Sequence, residues 1–339
     1  MKTFRFSLVA MIATVLFTAC SNEDAVRPKN DETPEISFRL QGGTPEITPR
    51  SMATTTLNVD AFVVYGTDNV TDAGTGTNIF DGVTVARQVG GGFDYNPKKY
   101  YGSGAVNAEF VAFSPVSANI SAPATASLLT TASFGYEVKV PDNTGDITQE
   151  DLLVAGTSVT TIAAAPVHLQ FGHALSRIFV KATNGLSENI VITGLSLKNL
   201  YSTGTITGTP AAAWTWAWGG YGGTKDYDYI LATTGVAVKP GVSAPTLVTS
   251  MEQGMMVLPQ ATVNASPATD FNPGDFALEV TYDVANITGQ TAHVLLNDGY
   301  TFEPGKQYAI TIEFSGTDLI EINFTIDVDP FGTPITELP

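Results

Sequence analysis

One cysteine and three histidines in 339 residues leave little from which to build a disulfide framework, a cysteine-based zinc site or a Cys–His nucleophile. Basic residues are also scarce: 16 Lys and Arg stand against 33 Asp and Glu, a formal charge of −17. A phosphate backbone is therefore excluded as a partner, because nucleic-acid binding needs a basic footprint. Charged residues make up only 14% of the chain, against a usual ~25%. No window sustains the i, i+3, i+4 apolar spacing of an amphipathic helix beyond about two turns. What the chain has in quantity is 43% hydrophobic residues, 45 Thr, 32 Gly and 19 Pro. So apolar a composition folds rather than staying disordered. β-branched residues interrupted by turn formers suit many short strands. The composition weighs against an enzyme.

The start of the chain reads as an export signal. Lys2 and Arg5 precede an apolar run from Leu8 to Phe17 that is too short to stay in a bilayer as a helix, so residues 1–19 are expected to be cleaved. Thr18-Ala19 then lead into the only cysteine, Cys20, an arrangement that resembles a bacterial lipobox, with Phe17 as its one departure. There the thiol is acylated and the new amino terminus takes a further chain, and several acyl chains anchor stably where one is marginal. Residues 20–35 read as a polar tether, and its Ser21-Asn22-Glu23-Asp24 resembles the surface-export signal of Gram-negative anaerobes. Losing Lys2 and Arg5 takes the formal charge from −17 to −19. The expected address is the outer membrane and cell surface, with membrane lipid as a partner through Cys20.

Past residue 35 the pattern is period two, punctuated by Gly, Pro, Asn and Asp, and it predicts an all-β fold. Ile36, Phe38 and Leu40 alternate with Glu35, Ser37, Arg39 and Gln41, and Phe62-Val63-Val64-Tyr65 and Phe110-Val111-Ala112-Phe113 are short apolar strands. Strand spacing of roughly ten residues favours two β-sandwiches. They are expected at residues 36–163 and 166–339, with the small-residue stretch 156–166 as the link.

Several phrases then coincide. Phe93-Asp94-Tyr95-Asn96-Pro97 runs into Lys98-Lys99-Tyr100-Tyr101; Gln149-Glu150-Asp151-Leu152-Leu153 follows, then Leu169-Gln170-Phe171-Gly172-His173-Ala174-Leu175, Leu258-Pro259 and Pro304-Gly305-Lys306-Gln307-Tyr308. In this order, behind a lipobox, they resemble the fimbrillin-like family, subunits of lipoprotein-derived (type V) pili, over about residues 36 to 331. The resemblance implies two tandem transthyretin-like sandwiches of Greek-key type. It also implies an arginine-specific protease that clips an N-terminal segment, and other pilus subunits as partners through strand complementation. Arg177 stands where many relatives have Lys, and Phe331 where many have Trp.

The residues allow that mechanism. A sandwich that loses one strand exposes an apolar groove flanked by unpaired N–H and C=O groups, which a strand from another molecule can fill. The candidate displaced strand carries Ile36, Phe38 and Leu40, and the candidate processing site is Arg50-Ser51 in a polar stretch. The candidate donor, residues 319–329, places Ile320, Ile322, Phe324, Ile326 and Val328 on one face. The same segment reads equally as the last strand of its own sheet.

Other constellations are weaker. Trp214, Trp216 and Trp218 share one face of a strand, either as core or, if exposed in a mobile Gly-rich loop, as a glycan contact for a monomeric surface lipoprotein. His168, His173 and His293 do not make a metal site; His173 reads as a structural hydrogen-bonder. Asp142-Asn143-Thr144-Gly145-Asp146 is out of step with an EF-hand, and Gly90-Gly91-Gly92 lacks the Lys-Ser/Thr of a phosphate loop. No catalytic residue, cofactor or metal is expected, while a host protein or glycan receptor is a candidate partner.

Overall fold

The structure, a computed structural model, describes residues 34–40, 59–68, 77–103, 105–118, 120–121, 132–139, 149–210, 216–229, 231–249, 254–262, 274–296, 301–315 and 321–330. Among these residues there is no helix, and the regular structure is entirely strand.

One six-stranded sheet carries, in spatial order, β10 (Gly172–His173), β8 (Leu153–Val159), β5 (Ala108–Ser114), β2 (Ala61–Asp68), β3 (Thr77–Arg87) and β4 (Phe93–Asp94). A seven-stranded sheet runs β18 (Ile287–Leu295), β17 (Ala277–Val284), β12 (Ile190–Gly208), β7 (Ala132–Glu137) and β6 (Ile120–Ser121). In it β13 (Ala217–Tyr229) and β14 (Val236–Val238) also pair with β12. A five-stranded sheet orders β15 (Thr246–Leu247), β11 (Ser176–Asn184), β19 (Lys306–Ser315) and β20 (Glu321–Pro330), with β16 (Met255–Val257) on β11. Finally β1 (Phe38–Leu40) and β9 (Val167–Leu169) form a parallel pair.

The burial of β5 explains why its sequence does not alternate. All seven residues are buried, as expected of a strand covered on both faces. Ala108, Phe110 and Ala112 enter one core, together with Phe62, Val64, Leu153 and Ala155. Val111 and Phe113 face the other way, into a larger core with Leu152, Val154 and most of the second half of the chain. The six-stranded sheet is thus the wall between two cores.

Strands cross the expected linker in both directions. β7, before it, pairs with β12 from Glu137↔Thr203 to Ala132↔Gly208. β10, after it, pairs with β8, and Val167, Leu169 and Phe171 belong to the first core. The stretch 156–166 is itself strand as far as Val159. The Gly-rich segment expected to be a mobile loop is strand as well: β13 pairs with β12 through two register shifts, with the glycines backed by Thr203 and Thr205.

Candidate functional site, the seat of the first strand

Residues 34–40 form a short extended segment that closes the first core. Period-two alternation turns Ile36 and Phe38 inward, at 0% and 5% exposure, while Arg39 is exposed. Phe38 enters a ring-lined pocket. Its centroid lies 5.8 Å from Phe62, 5.4 Å from Phe80, 5.9 Å from Tyr95 and 5.7 Å from Phe110. The planes cross at 87°, 71°, 60° and 86°, so edges meet faces, the arrangement the ring quadrupole favours. Gly66 makes room behind the pocket. A Cβ there would fall 2.6 Å from Phe110 Cδ1 and 3.2 Å from Phe80 Cδ2.

The main chain of the segment is held from two sides. On one, Val167 N donates to Ser37 O at 2.7 Å and β1 runs parallel to β9. On the other, Ile36 N donates to Lys99 O at 3.0 Å and Tyr101 N to Pro34 O at 3.5 Å. The Tyr95 hydroxyl donates to Ile36 O at 2.5 Å, and burial pushes its pKa up to about 12. Lys98 closes the entrance, 3.0 Å from Glu35 and in contact with Asp94. Hydrogen bonds to Asp94 first, then Glu35, raise its pKa above the usual lysine value. The Phe-Asp-Tyr-Asn-Pro-Lys phrase is therefore the clamp on β1, a role that its local sequence does not announce.

The remaining sequence-predicted positions fall as follows. Leu40 is half-buried beside the first core. Ile322, Phe324, Ile326 and Val328 lie in β20, which pairs antiparallel with β19 over ten residues, from Lys306↔Pro330 to Ser315↔Glu321, at the margin of its sheet. Cys20, Arg50, Ser51, Trp214, Ile320 and the Asp142–Asp146 turn lie outside the described residues.

Of the tryptophan row, Trp216 and Trp218 lie among the described residues. Trp216 is buried. A Cβ at Gly208 would lie 2.3 Å from its Cε3, and one at Gly156 would lie 3.1 Å from its Cζ2. Its indole is wedged between β12 and β8. Trp218 is half-buried, spends its indole N–H on Ala174 O at 2.7 Å and lies 6.0 Å from the Tyr136 ring. Both rings pack in the second core.

The other phrases of the resemblance are held by specific side-chain contacts. Gln149 Nε2 donates to Met256 O, and its Oε1 accepts from Met256 N, both at 2.8 Å. Asp151, buried, meets His173 Nδ1 at 2.8 Å, so His173 is the hydrogen-bonding partner expected of it. Arg177 is buried over the Phe179 ring at 4.5 Å, and desolvation lowers its pKa from the usual arginine value. His168 is exposed on β9 and His293 meets Glu279 at 2.8 Å. Among the described residues no group of three or more His, Cys, Asp or Glu side chains is placed to hold a metal.

These features define an all-β protein with two cores that share one sheet, the first of them closed by the segment that begins the described chain. The profile of fimbrillin-like proteins matches residues 50–327, well over half of the sequence, and the chain belongs to that family. Among solved structures it is similar to a fimbrial protein from Bacteroides vulgatus, at 14% identity over 88% of this chain and 99% of that one, with a TM-score of 0.60. It is also similar to a candidate cell adhesion protein from Bacteroides uniformis (18% identity, 88% and 98% covered, TM-score 0.48). A third is the C-terminally truncated tip fimbrial protein Mfa3 from Porphyromonas gingivalis (11% identity, 87% and 99% covered, TM-score 0.42). The first likeness is one of fold. No curated protein sequence matches.

Proposed function

We propose that the protein is a structural, non-enzymatic subunit of a cell-surface fimbria or adhesin, exported as a lipoprotein on Cys20. In this reading an arginine-specific protease cuts between Arg50 and Ser51, residues 34–40 leave, and a strand from a neighbouring subunit takes the vacated seat. Family membership supports the assembly role. The observation that carries the mechanism is the seat itself: a closing strand of three residues, paired in parallel with one equally short partner, that buries only two large side chains, Ile36 and Phe38. Burying Ile36 and Phe38 contributes about 1.5–3 kcal/mol each, enough to hold the strand and small enough for an equivalent strand to replace it.

β20 is the donor in this reading. It lies at the margin of its sheet, and leaving β19 would disturb no further strand on that path. The monomeric glycan-binding alternative lacks comparable support, since Trp216 is buried and the Trp218 N–H is already used.

The test is electron microscopy of cells expressing the full chain, with N-terminal sequencing of the surface material. Fibres whose subunits begin at Ser51, and their loss in Arg50→Ala, are expected. Fibre formation by Arg50→Ala at the wild-type level would remove the protease step. Labelling of Cys20→Ala with a clickable palmitate analogue as strongly as wild type would remove the lipid anchor.

A further inference from the structure

At the end of the wall sheet where β5 begins, three neighbouring strands turn oxygen-bearing side chains to one side. Thr67 on β2 and Ser158 on β8 are the Cα partners of Glu109 on β5, and antiparallel partners project from the same face. By alternation this is the face of Val111 and Phe113, away from the first core. Thr67 is 0% and Glu109 9% exposed, while Ser158 is half-buried. Asn107, two residues before Glu109, adds a buried amide oxygen. The chain that leaves β12 passes over the same face: Pro210 O would lie 3.4 Å from a Cβ at Gly156, two residues before Ser158.

Among the described residues Glu109 Oε2 and Thr67 Oγ1 have no hydrogen-bond partner. A carboxylate taken out of water is costly unless something positive meets it. A retained proton would serve Glu109 alone. Facing oxygens that do not bond to each other suit a metal shell, where oxygens about 2.4 Å from a calcium ion stand roughly 3.4 Å or more apart. β2 also carries register shifts against β3 between Val64 and Gly66 and between Gly66 and Thr67. Irregularities of this kind re-aim side chains next to sites.

We propose that Glu109, Thr67 and Ser158, with Asn107 and the Pro210 carbonyl beside them, hold one calcium ion. All of these donors are oxygens, the ligand type that calcium and magnesium take. Donors spread over three strands and a connection suit calcium's flexible shell of about six to eight oxygens better than magnesium's strict octahedron. One formal negative charge makes the site weak, in the range of about 10⁻⁴–10⁻³ M that extracellular modules use. With a single acidic ligand it lies outside the His, Cys, Asp and Glu groupings that mark stronger metal centres. The chain's formal charge of −17 concentrates cations around it. Calcium bound there fastens β2, β5 and β8 to the chain that leaves β12, a tie between the wall and the second core.

Full-length protein, stripped of metal with EGTA and gel filtration, is titrated with radioactive calcium by equilibrium dialysis. Wild type is expected to bind one calcium per chain with a Kd of about 0.1–1 mM, and magnesium at least about tenfold more weakly. Glu109→Gln keeps the size of the side chain and removes its charge, and is expected to weaken calcium binding at least about tenfold. Thr67→Val keeps the shape and removes one oxygen, for an expected loss of about threefold. Asp60→Asn, at a carboxylate that is 93% exposed, is expected to leave binding unchanged.

Thermal unfolding gives a second readout. Calcium at ten times the Kd is expected to raise the Tm of wild type by about 2–5 °C and that of Glu109→Gln by less than about 1 °C. Any stability that Glu109→Gln gains in calcium-free buffer should therefore narrow as calcium is added. Absence of saturable binding below about 5 mM, or equal binding by wild type and Glu109→Gln, overturns the site. Magnesium bound as tightly as calcium overturns the choice of ion, and unchanged binding in Thr67→Val removes Thr67 from the ligands. A loss in Asp60→Asn as large as in Glu109→Gln means diffuse binding to an acidic surface and overturns the site as well.

Discussion

The two cores are closed in different ways. Among the described residues the first core holds seventeen buried hydrophobics, seven of them aromatic, and takes Ile36 and Phe38 from the segment that opens the described chain. The second is larger and more aliphatic, and long interior strands build it: β12 over nineteen residues, and β11 and β19 side by side in parallel. An interior strand cannot leave without carrying its neighbours along. A terminal strand held by a ring in a pocket can, once the chain behind it is cut. In the proposed assembly the first core is therefore the one that is interrupted, while the second holds the subunit together.

The sharpest way to break this comparison is to empty the pocket. Phe38→Ala removes a ring packed against four others, and such truncations cost about 3–5 kcal/mol. Urea unfolding of the variant is expected to show that loss. Arg39→Ala, at an exposed neighbour, is expected to stay within about 0.5 kcal/mol of wild type. A Phe38→Ala effect below about 1 kcal/mol would mean that β1 is held by its main chain and not by its ring.

The second prediction asks whether the two cores are mechanically joined. Trp216, a residue of the second core, is pressed between Gly208 on β12 and Gly156 on β8 of the wall sheet. In Gly208→Ala the new methyl would lie 2.3 Å from the indole, so the ring must move. Overpacking of this kind costs about 1–3 kcal/mol, and the upper half of that range is expected because the strand opposite leaves no space. Both cores should lose hydrogen-exchange protection together. Protection lost from the second core alone would show that the indole does not couple them.

A smaller loss is expected from Tyr95→Phe, which keeps the ring in the pocket wall and removes only the hydroxyl that serves Ile36 O. A buried carbonyl left short of a donor costs about 1–1.5 kcal/mol. The loss should appear as faster cleavage at Arg39 by an arginine-specific protease, because β1 opens more often. Unchanged cleavage would place the hold elsewhere in the clamp.

Much of this was legible in the residues. The alternation of Ile36, Phe38 and Leu40 marks a strand with one buried face, and the apolar runs around Phe62 and Phe110 lie in strands. The pairing of those strands was not legible. β7 joins the second half through contacts about seventy residues away in sequence, and nothing local to Ala132–Glu137 encodes that choice. The glycines around Trp218 look like a loop because a one-dimensional pattern hides the threonines that back them across the sheet. The seat was half visible: its occupant could be read from periodicity, but Tyr95, Lys98 and Gly66 act through three-dimensional proximity, and only the family phrase containing Tyr95 hinted at them.

The finest test concerns the wall between the cores. Glu109 lies on β5, on the side of Val111 and Phe113 by strand alternation, with Thr67 and Ser158 as its Cα partners. It is buried, and its Oε2 and the Thr67 hydroxyl have no hydrogen-bond partner. Desolvation raises its pKa above the ordinary value of 4.5. A carboxyl whose folded pKa is raised binds its proton more tightly in the folded state. Its contribution is therefore fully present below the unfolded value and is lost as pH rises through the folded one. The wild type should lose stability across a window that opens near pH 4.5 and extends upward. Glu109→Gln cannot ionise and should not lose this part. It is expected to be about 1 kcal/mol more stable than wild type at pH 7, with the difference shrinking towards pH 4. Urea titrations of both proteins across that range measure it directly. A difference independent of pH would show that Glu109 reaches solvent, and would mean that the wall between the cores is wetter than its burial suggests.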